Sequence, residues 1–203
     1  MRHYLHFGDE SKRQLFEVMV DFWSNHLNVT NPSDHVWDNR ADYDRTVIRR
    51  YALDNFSDML VASATHPAML QYLNNAQSTK TAPNENYGRE LLELHTVGVD
   101  AGYTEGEVLN SARIMTGWTT TSTGLAIYRT SRHWTGRVHV LGFNDANSLP
   151  DGRPVATSYL RYLAAHPDTA HRIATKLCER FVSDVAPNGL VERLASTYVR
   201  EGT

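Results

Sequence analysis

The chain has 203 residues, and 41% of them are hydrophobic, which is enough for one domain with a substantial core. Its formal net charge is -3 at pH 7 and its pI is near 6.3, so it offers no basic surface for a phosphate backbone. We therefore expect a globular protein without a nucleic acid partner.

The expected fold class is mainly α-helical. Apolar residues recur at helical spacing through most of the chain. Two dipeptides, His66-Pro67 and His166-Pro167, each predict a helix start with proline at the first helical position. We expect one multi-helix domain over residues 1–203, with orthogonal or bundle-like packing. The predicted helices are Glu10–Asn25, Arg45–Leu53, Asn55–Thr65, His66–Leu73, Asn84–Gly98, Tyr159–Leu163, Ala170–Val182 and Leu190–Arg200.

The helical period is lost between Thr116 and Pro154. Within this stretch, Leu125–Arg129 and Arg137–Leu141 have the composition of strands. We expect a small β-hairpin or extended segment near residues 125–141, inside an irregular insertion at 119–154.

The segment Asn84–Gly98 is the densest in reactive side chains. Pro83-Asn84 is typical of a helix start, and Gly98 is typical of the residue just after a helix end. A helical wheel divides the segment into an apolar side and a polar side. The apolar side holds Tyr87, Leu91, Leu92, Leu94 and His95, and the polar side holds Asn86, Arg89, Glu90 and Glu93.

The polar side has two interpretations. It is either a solvated face with ion pairs between residues four apart, or one wall of a cleft that binds a metal or a polar ligand. In the second case the candidate site comprises Asn86, Arg89, Glu90, Glu93, His95 and His26. If the helix is central to the fold, we expect Arg89 to be substantially buried and to bridge Glu93 and a carboxylate from another helix.

A divalent metal is the one cofactor for which the sequence offers ligands. Glu90 and Glu93 could supply oxygen ligands for Mg²⁺, Ca²⁺ or Mn²⁺. His95 falls on the apolar side, where a hydrogen-bonded core histidine is expected more often than a ligand. Signatures for zinc proteases, ferritin-like di-iron sites, serine hydrolases, P-loops and dinucleotide enzymes do not occur.

The order of short motifs resembles a bacterial family called domain of unknown function 1800 (DUF 1800). The motifs span nearly the whole chain, and the Asn84–Gly98 block is the most specific. They are Asp21 to His26, Thr46 to Arg50, Pro67 to Leu73, Asn84 to Gly98, Gly102-Tyr103-Thr104, Ala112-Arg113, Thr116-Gly117-Trp118, Val140-Leu141-Gly142, His166-Pro167, Ala174 and Lys176-Leu177.

The resemblance implies a mostly helical fold and carries no established activity. Members of the family are usually longer and often exported, so the resemblance implies a C-terminal portion or a truncated member, with export of full-length forms. Residues 1–10 hold no apolar run like the core of a signal peptide, and no window reaches the length of a membrane span. A leader would then lie upstream in a longer protein.

Two classes of function remain open. One is a structural or assembly module of a bacterial envelope system, which contacts a protein partner or another segment of the same protein. The other is an enzyme or ligand-binding domain with a polar cleft built on Asn84–Gly98. The sequence favours the first because it contains no complete catalytic set. Whether Arg89, Glu90 and Glu93 lie in a closed core or line an open cavity with another histidine or carboxylate decides between them.

Overall fold

The computed structural model describes residues 13–30 and 37–201. Of these residues, 61% are helical, and two small antiparallel hairpins are the sheet structure among them, so the predicted mainly α-helical class is confirmed. In chain order the helices are α1 (Gln14–His26), α2 (Trp37–Tyr43, then π-helical Asp44–Ile48 and α-helical Arg49–Tyr51), α3 (Phe56–Thr65), α4 (Pro67–Tyr72), α5 (Glu85–Glu90, then π-helical Leu91–His95), α6 (Glu105–Met115), α7 (Arg153–Ala164), α8 (Pro167–Phe181) and α9 (Asn188–Glu201).

The first helix begins at Gln14, and the predicted start at Glu10 lies outside the described residues. In the part of the chain that the structure covers, no helix is long and apolar enough to cross a membrane.

Side-chain caps fix the starts of several helices. Asn55 and Asn84 accept hydrogen bonds from backbone N–H groups in the first turns of α3 and α5. His66 and His166 do the same for α4 and α8, each accepting through Nδ1 from the N–H two residues later. Both histidines precede a proline at the first helical position, as the sequence predicted.

Buried tyrosines connect the helices at the centre of the core. The Tyr43 hydroxyl donates to the carbonyl of Leu27 at 3.0 Å, and the Tyr87 hydroxyl donates to the carbonyl of Ala64 at 2.7 Å. Both side chains are almost fully buried, so these bonds satisfy hydroxyls that have no access to water. Tyr87 thereby fixes α5 against α3.

α5 and α6 cross at very close range. A Cβ on Gly88 would lie 2.7 Å from both the Ala112 nitrogen and the Val108 oxygen, which are backbone atoms of α6. The Ser111 hydroxyl donates to the Gly88 carbonyl at 3.2 Å. Only glycine allows this approach, so the position of α5 is fixed on this side.

The β structure differs in pairing and extent from the predicted single hairpin. The described residues form four strands, β1 (Trp118–Thr120), β2 (Ala126–Tyr128), β3 (Val138–Val140) and β4 (Phe143–Asp145). β1 pairs with β2 and β3 pairs with β4, so the two segments with strand composition do not pair with each other. The strands therefore extend beyond the predicted limits of 125–141 on both sides.

The turn between β3 and β4 is stabilised by contacts from two helices. Leu141 and Gly142 have φ of 47° and 92°, the left-handed conformation that a tight two-residue hairpin turn requires at both positions. The Leu141 N–H donates to Glu107 of α6 at 2.8 Å, and its carbonyl accepts from the Tyr162 hydroxyl of α7. These tertiary bonds offset the strain of a non-glycine residue in this conformation.

Candidate functional site

The C-terminal end of α5 leaves one carbonyl free. Its last turn is π-helical, from Leu91 to His95, and the chain leaves the helix at Thr96. The Thr96 hydroxyl donates to the Leu91 carbonyl at 2.7 Å, and the Gly98 N–H donates to the Leu92 carbonyl at 2.9 Å. Gly98 has φ of 91°, which agrees with its predicted place after the helix end. The carbonyl of His95, in the last turn, remains available to a group from another helix.

The same π turn corrects the predicted helical wheel. Leu94 was placed on the apolar side, but it is 48% exposed, whereas Leu91, Leu92 and His95 are buried as predicted. A π turn contains more residues than an α turn and so changes the angular positions on which the wheel depends.

His26, at the end of α1, binds this carbonyl. Its Nε2 lies 3.0 Å from the His95 oxygen, and since a carbonyl can only accept, Nε2 carries the proton and donates. The ring packs against Phe22, Trp23 and Phe56 at centroid distances of 5.7 to 6.4 Å. The Nδ1 atom of the neutral imidazole therefore has a free lone pair.

Lys176 of α8 donates to that lone pair. Its Nζ lies 3.1 Å from His26 Nδ1. Arg172 precedes it by four residues, so the two cations lie on the same face of α8. Neither makes an ion pair with a carboxylate among the described residues, and Arg172 Nε is buried without a hydrogen-bond partner there.

Burial and these cations keep both histidines neutral. Burial, with the nearby Lys176 and Arg172 charges, lowers the pKa of His95 to about 4. The pKa of His26 also lies well below its usual range, first because of burial and then because of Lys176. Burial lowers the pKa of Lys176 as well, and Arg172 adds to this effect. The site thus combines two neutral imidazoles with two cations that make no ion pair with any of the described residues.

These groups surround a cavity of about 230 Å³ between α1, α4, α5 and α8, which we call the histidine–lysine cavity. Glu90 of α5 also lines it and has no ion-pair partner among the described residues. Burial raises the pKa of the Glu90 carboxyl, and the neighbouring Glu93 raises it further. The full lining is Asn25, His26, Asn28, Tyr72, Leu73, Glu90, Leu94, His95, Arg172 and Lys176.

Arg172 also borders a second cavity, of about 520 Å³, on the other side of the α5 end. A Cβ on Gly98 would lie 3.0 Å from Arg172 Nη1, so the glycine leaves room for the guanidinium. Lys176 lines this cavity too. The two cations of α8 therefore separate two adjacent concavities.

Of the six predicted site residues, the structure brings three together and leaves three elsewhere. His26, His95 and Glu90 line the histidine–lysine cavity. Arg89 and Glu93 form an ion pair at 3.7 Å on the outer face of α5, and Asn86 is exposed.

The expected environment of Arg89 is only partly correct. Arg89 bridges Glu93 and Glu105, which begins α6, as predicted for a carboxylate from another helix. However, its side chain is 36% exposed, so the predicted substantial burial is wrong. The bridge lies at the rim of the α5–α6 crossing, where solvent screens it.

Glu90 and Glu93 stay the candidate metal ligands, but no third ligand converges with both of them among the described residues. Among the described residues, no group of three or more histidine, cysteine, aspartate or glutamate side chains converges in a way that could hold a metal ion. Glu93 instead contacts Arg89 and faces Tyr103, whose pKa is raised to about 12 by burial and by the Glu93 charge.

Another cavity, of about 500 Å³, lies beside the β1–β2 hairpin. Its lining is mostly hydroxyl and amide side chains, and its one arginine, Arg132, already donates to the Ala76 carbonyl and the Thr119 hydroxyl. It therefore lacks the unpaired charges of the histidine–lysine cavity.

Sequence reasoning did not identify Arg172 and Lys176. Both have an acidic residue on the same helix at a spacing that favours surface pairing, Asp168 for Arg172 and Glu179 for Lys176. In the part of the chain that the structure describes, no ion pair joins Asp168 to Arg172 or Glu179 to Lys176. The sequence signals for Lys176 were its place in the Lys176-Leu177 motif of the family resemblance and its position as a lysine on an amphipathic helix.

The fold and the site together define a mainly α-helical domain with a polar cavity lined by side chains of four helices. The family described as protein of unknown function (DUF1800) matches residues 6–203, and the chain belongs to this family. No curated protein and no solved structure matches the chain.

Proposed function

We propose that this domain binds a small, singly charged carboxylate ligand in the histidine–lysine cavity. The observation that carries the proposal is the pair of cations, Arg172 and Lys176, that line the cavity without an ion-pair partner among the described residues. Like charges four residues apart on a helix destabilise it, and partial burial increases the cost. A bound anion would supply the missing counter-charge.

The charges around the cavity indicate which anion fits. Arg172 and Lys176 contribute two positive charges, Glu90 contributes one negative charge, and His26 and His95 are neutral. The surplus is one positive charge, which matches a monocarboxylate better than a phosphate dianion that would also face Glu90. The guanidinium fork of Arg172 suits a carboxylate geometrically.

The position of Glu90 bears on the choice between the two classes of function. A closed core would favour an assembly module, whereas a cavity shared with histidines favours a ligand site. Glu90 lines such a cavity with His26 and His95. The ligand-binding class is thus the better supported of the two.

Thermal unfolding with added acetate tests the proposal. A ligand at ten times its dissociation constant stabilises the folded state by about 1.4 kcal/mol, so the Tm should rise with acetate concentration and saturate. Phosphate and sulfate should give smaller effects at equal ionic strength. An acetate effect no larger than that of chloride would contradict the proposal.

A pair of variants locates the effect. Arg172→Met should abolish the acetate-dependent rise, because it removes the unpaired guanidinium. Arg161→Met is the matched control, since Arg161 is 60% exposed and pairs with Asp58 at 3.2 Å on a different helix. The control should keep the full acetate response.

A second candidate function, protein contact, has its own observation. Apolar side chains are exposed where α8 ends and α9 begins, with Phe181 at 47%, Val182 at 57% and Val185 at 83% exposure. Exposed apolar clusters are typical of contact surfaces. We expect the chain to self-associate in sedimentation experiments and Val182→Ser with Val185→Ser to remove this association. A wild-type protein that stays monomeric at all concentrations would contradict the predicted self-association.

A further inference from the structure

The surroundings of Lys176 suit a reactive amine, formed when the ammonium counted above loses its proton, better than a structural ammonium. A structural lysine commonly pairs with a carboxylate, but the acceptor here is Nδ1 of a neutral imidazole, 3.1 Å from Nζ. One N–H of Lys176 is thereby fixed against His26. The nitrogen lone pair of the neutral amine is then free to face the cavity.

The groups around Lys176 lower its pKa and so make its ammonium easier to deprotonate. His26 of α1 and His95 of α5 are uncharged, and Arg172 of the same helix repels an ammonium. Glu179 favours the ammonium, but its effect is smaller than those of burial and Arg172. A desolvated lysine beside another cation is the environment in which lysines become nucleophiles.

We propose that Lys176 condenses with the carbonyl group of a small 2-oxo acid whose carboxylate is bound by Arg172, an activity that rests on the anion binding proposed above. The Lys176 nitrogen attacks the carbonyl carbon, and the carbonyl oxygen takes up a proton to give a carbinolamine. That hydroxyl leaves with a further proton as water, while the nitrogen loses both of its protons, and a C=N bond remains. The balance is one amine and one carbonyl giving one imine and one water, so no oxidant or reductant is needed.

The dimensions of the site select a short ligand. Residues four apart on a helix have Cβ atoms about 5–6 Å apart, so the guanidinium of Arg172 and the amine of Lys176 can reach adjacent groups of one small molecule. A 2-oxo acid has its carboxylate and carbonyl on neighbouring carbons. The cavity of about 230 Å³ accommodates only a few non-hydrogen atoms beyond these.

Reductive trapping on the full 203-residue chain tests the proposal. The chain has three lysines, Lys12, Lys80 and Lys176, so peptide mapping by mass spectrometry can assign an adduct to each. Glyoxylate or pyruvate is added with sodium cyanoborohydride, which reduces an imine to a stable secondary amine. At pH 7 we expect Lys176 to be labelled at least about tenfold faster than the exposed Lys80, with saturation at increasing 2-oxo acid.

Internal comparison within the wild-type protein avoids dependence on a variant that fails to fold. The pH midpoint of labelling should be lower for Lys176 than for Lys80. Lys176→Arg removes the amine and should lose the saturable adduct, whereas Lys80→Arg changes an exposed lysine outside the cavity and should keep it. In the Arg172→Met variant, Lys176 should still be labelled, but its labelling rate should not saturate with increasing 2-oxo acid.

The outcomes separate the two proposals. If acetate binds and Lys176 is labelled no faster than Lys80, the imine proposal is overturned and anion binding stands. If acetate does not bind, the function on which the imine depends fails, and both proposals are overturned. Saturable labelling confined to Lys176 together with acetate binding supports both.

Discussion

Acidification should destabilise the protein because two histidines are buried in neutral form. The pKa of His95 is about 4, against 6.5 for an exposed histidine, and that of His26 is also lowered. The unfolded chain therefore takes up protons near pH 6.5 that the folded chain does not take up until about pH 4. Stability is fully present above pH 6.5 and declines as the pH falls through this window.

The size of the effect follows from the pKa of His95. At about 1.4 kcal/mol for each pH unit, the depression corresponds to roughly 3 kcal/mol lost between pH 6.5 and 4. His26 increases this loss. Such a change is a large share of the 5–15 kcal/mol that is typical of domains.

Urea unfolding at intervals between pH 7 and 4.5, followed by tryptophan fluorescence, measures the effect. Carboxylates also begin to titrate as the pH approaches 4.5, so the difference in slope between the wild type and His95→Gln isolates the contribution of the histidine. His95→Gln should reduce the dependence of the unfolding free energy on pH. His139→Gln is the control, because the side chain of His139 is 55% exposed. A wild-type unfolding free energy that is constant over this range, or an unchanged slope in His95→Gln, would refute the reasoning.

Three substitutions, with a fourth as a control, test other parts of the structure by denaturant unfolding at pH 7. Arg89→Met should lower the free energy of unfolding by no more than about 1 kcal/mol, because the ion pairs of Arg89 are solvent-exposed. A loss above about 2 kcal/mol would instead support the prediction that Arg89 is buried. Gly88→Ala should cost at least about 2 kcal/mol, since the added methyl group meets backbone of α6. The matched Gly106→Ala lies on an open helical surface and should be neutral or stabilising by up to about 1 kcal/mol, so equal losses for both glycines would contradict the close crossing. Tyr87→Phe should cost about 1–3 kcal/mol, because it leaves a buried carbonyl without its donor, and no loss would show that the bond contributes little.

Local chemistry explains the parts of the fold that the sequence predicted. The two His-Pro helix starts depend on atoms within three residues, so the sequence alone identifies them. The same holds for Asn84 and Gly98 at the two ends of α5.

Strand pairing depended on distant contacts and was not predictable in the same way. The tight turn at Leu141 and Gly142 lacks the Asn-Gly or Asp-Gly signal of such turns. Its conformation is held by Glu107 and Tyr162, which lie 34 and 21 residues away in sequence. A segment with ordinary strand composition therefore paired with a neighbour that the sequence did not indicate.

In the candidate site, too, the residues fixed by local sequence were predicted, and those brought in by tertiary packing were not. The sequence selected His26, Glu90 and His95 by residue type and helical position. It did not find Lys176, which is 150 residues from His26 and meets it only through the packing of α8 against α1. Helical periodicity could not separate Glu90, in the cavity, from Glu93, on the rim, because both lie on one polar stripe.

The geometry of the site depends on the number of residues in the π turn of α5. A π turn is equivalent to an α-helix with one residue inserted, so removing one residue from Leu91–His95 would restore a regular hydrogen-bonding ladder. The shortened helix could still cross α6 at Gly88, but the residues after the deletion would rotate about the helix axis. The carbonyl that orients His26 would turn away, and the hydrogen bonds linking α1, α5 and α8 would be broken. A single deletion at this point would thus leave the scaffold largely intact while removing the site.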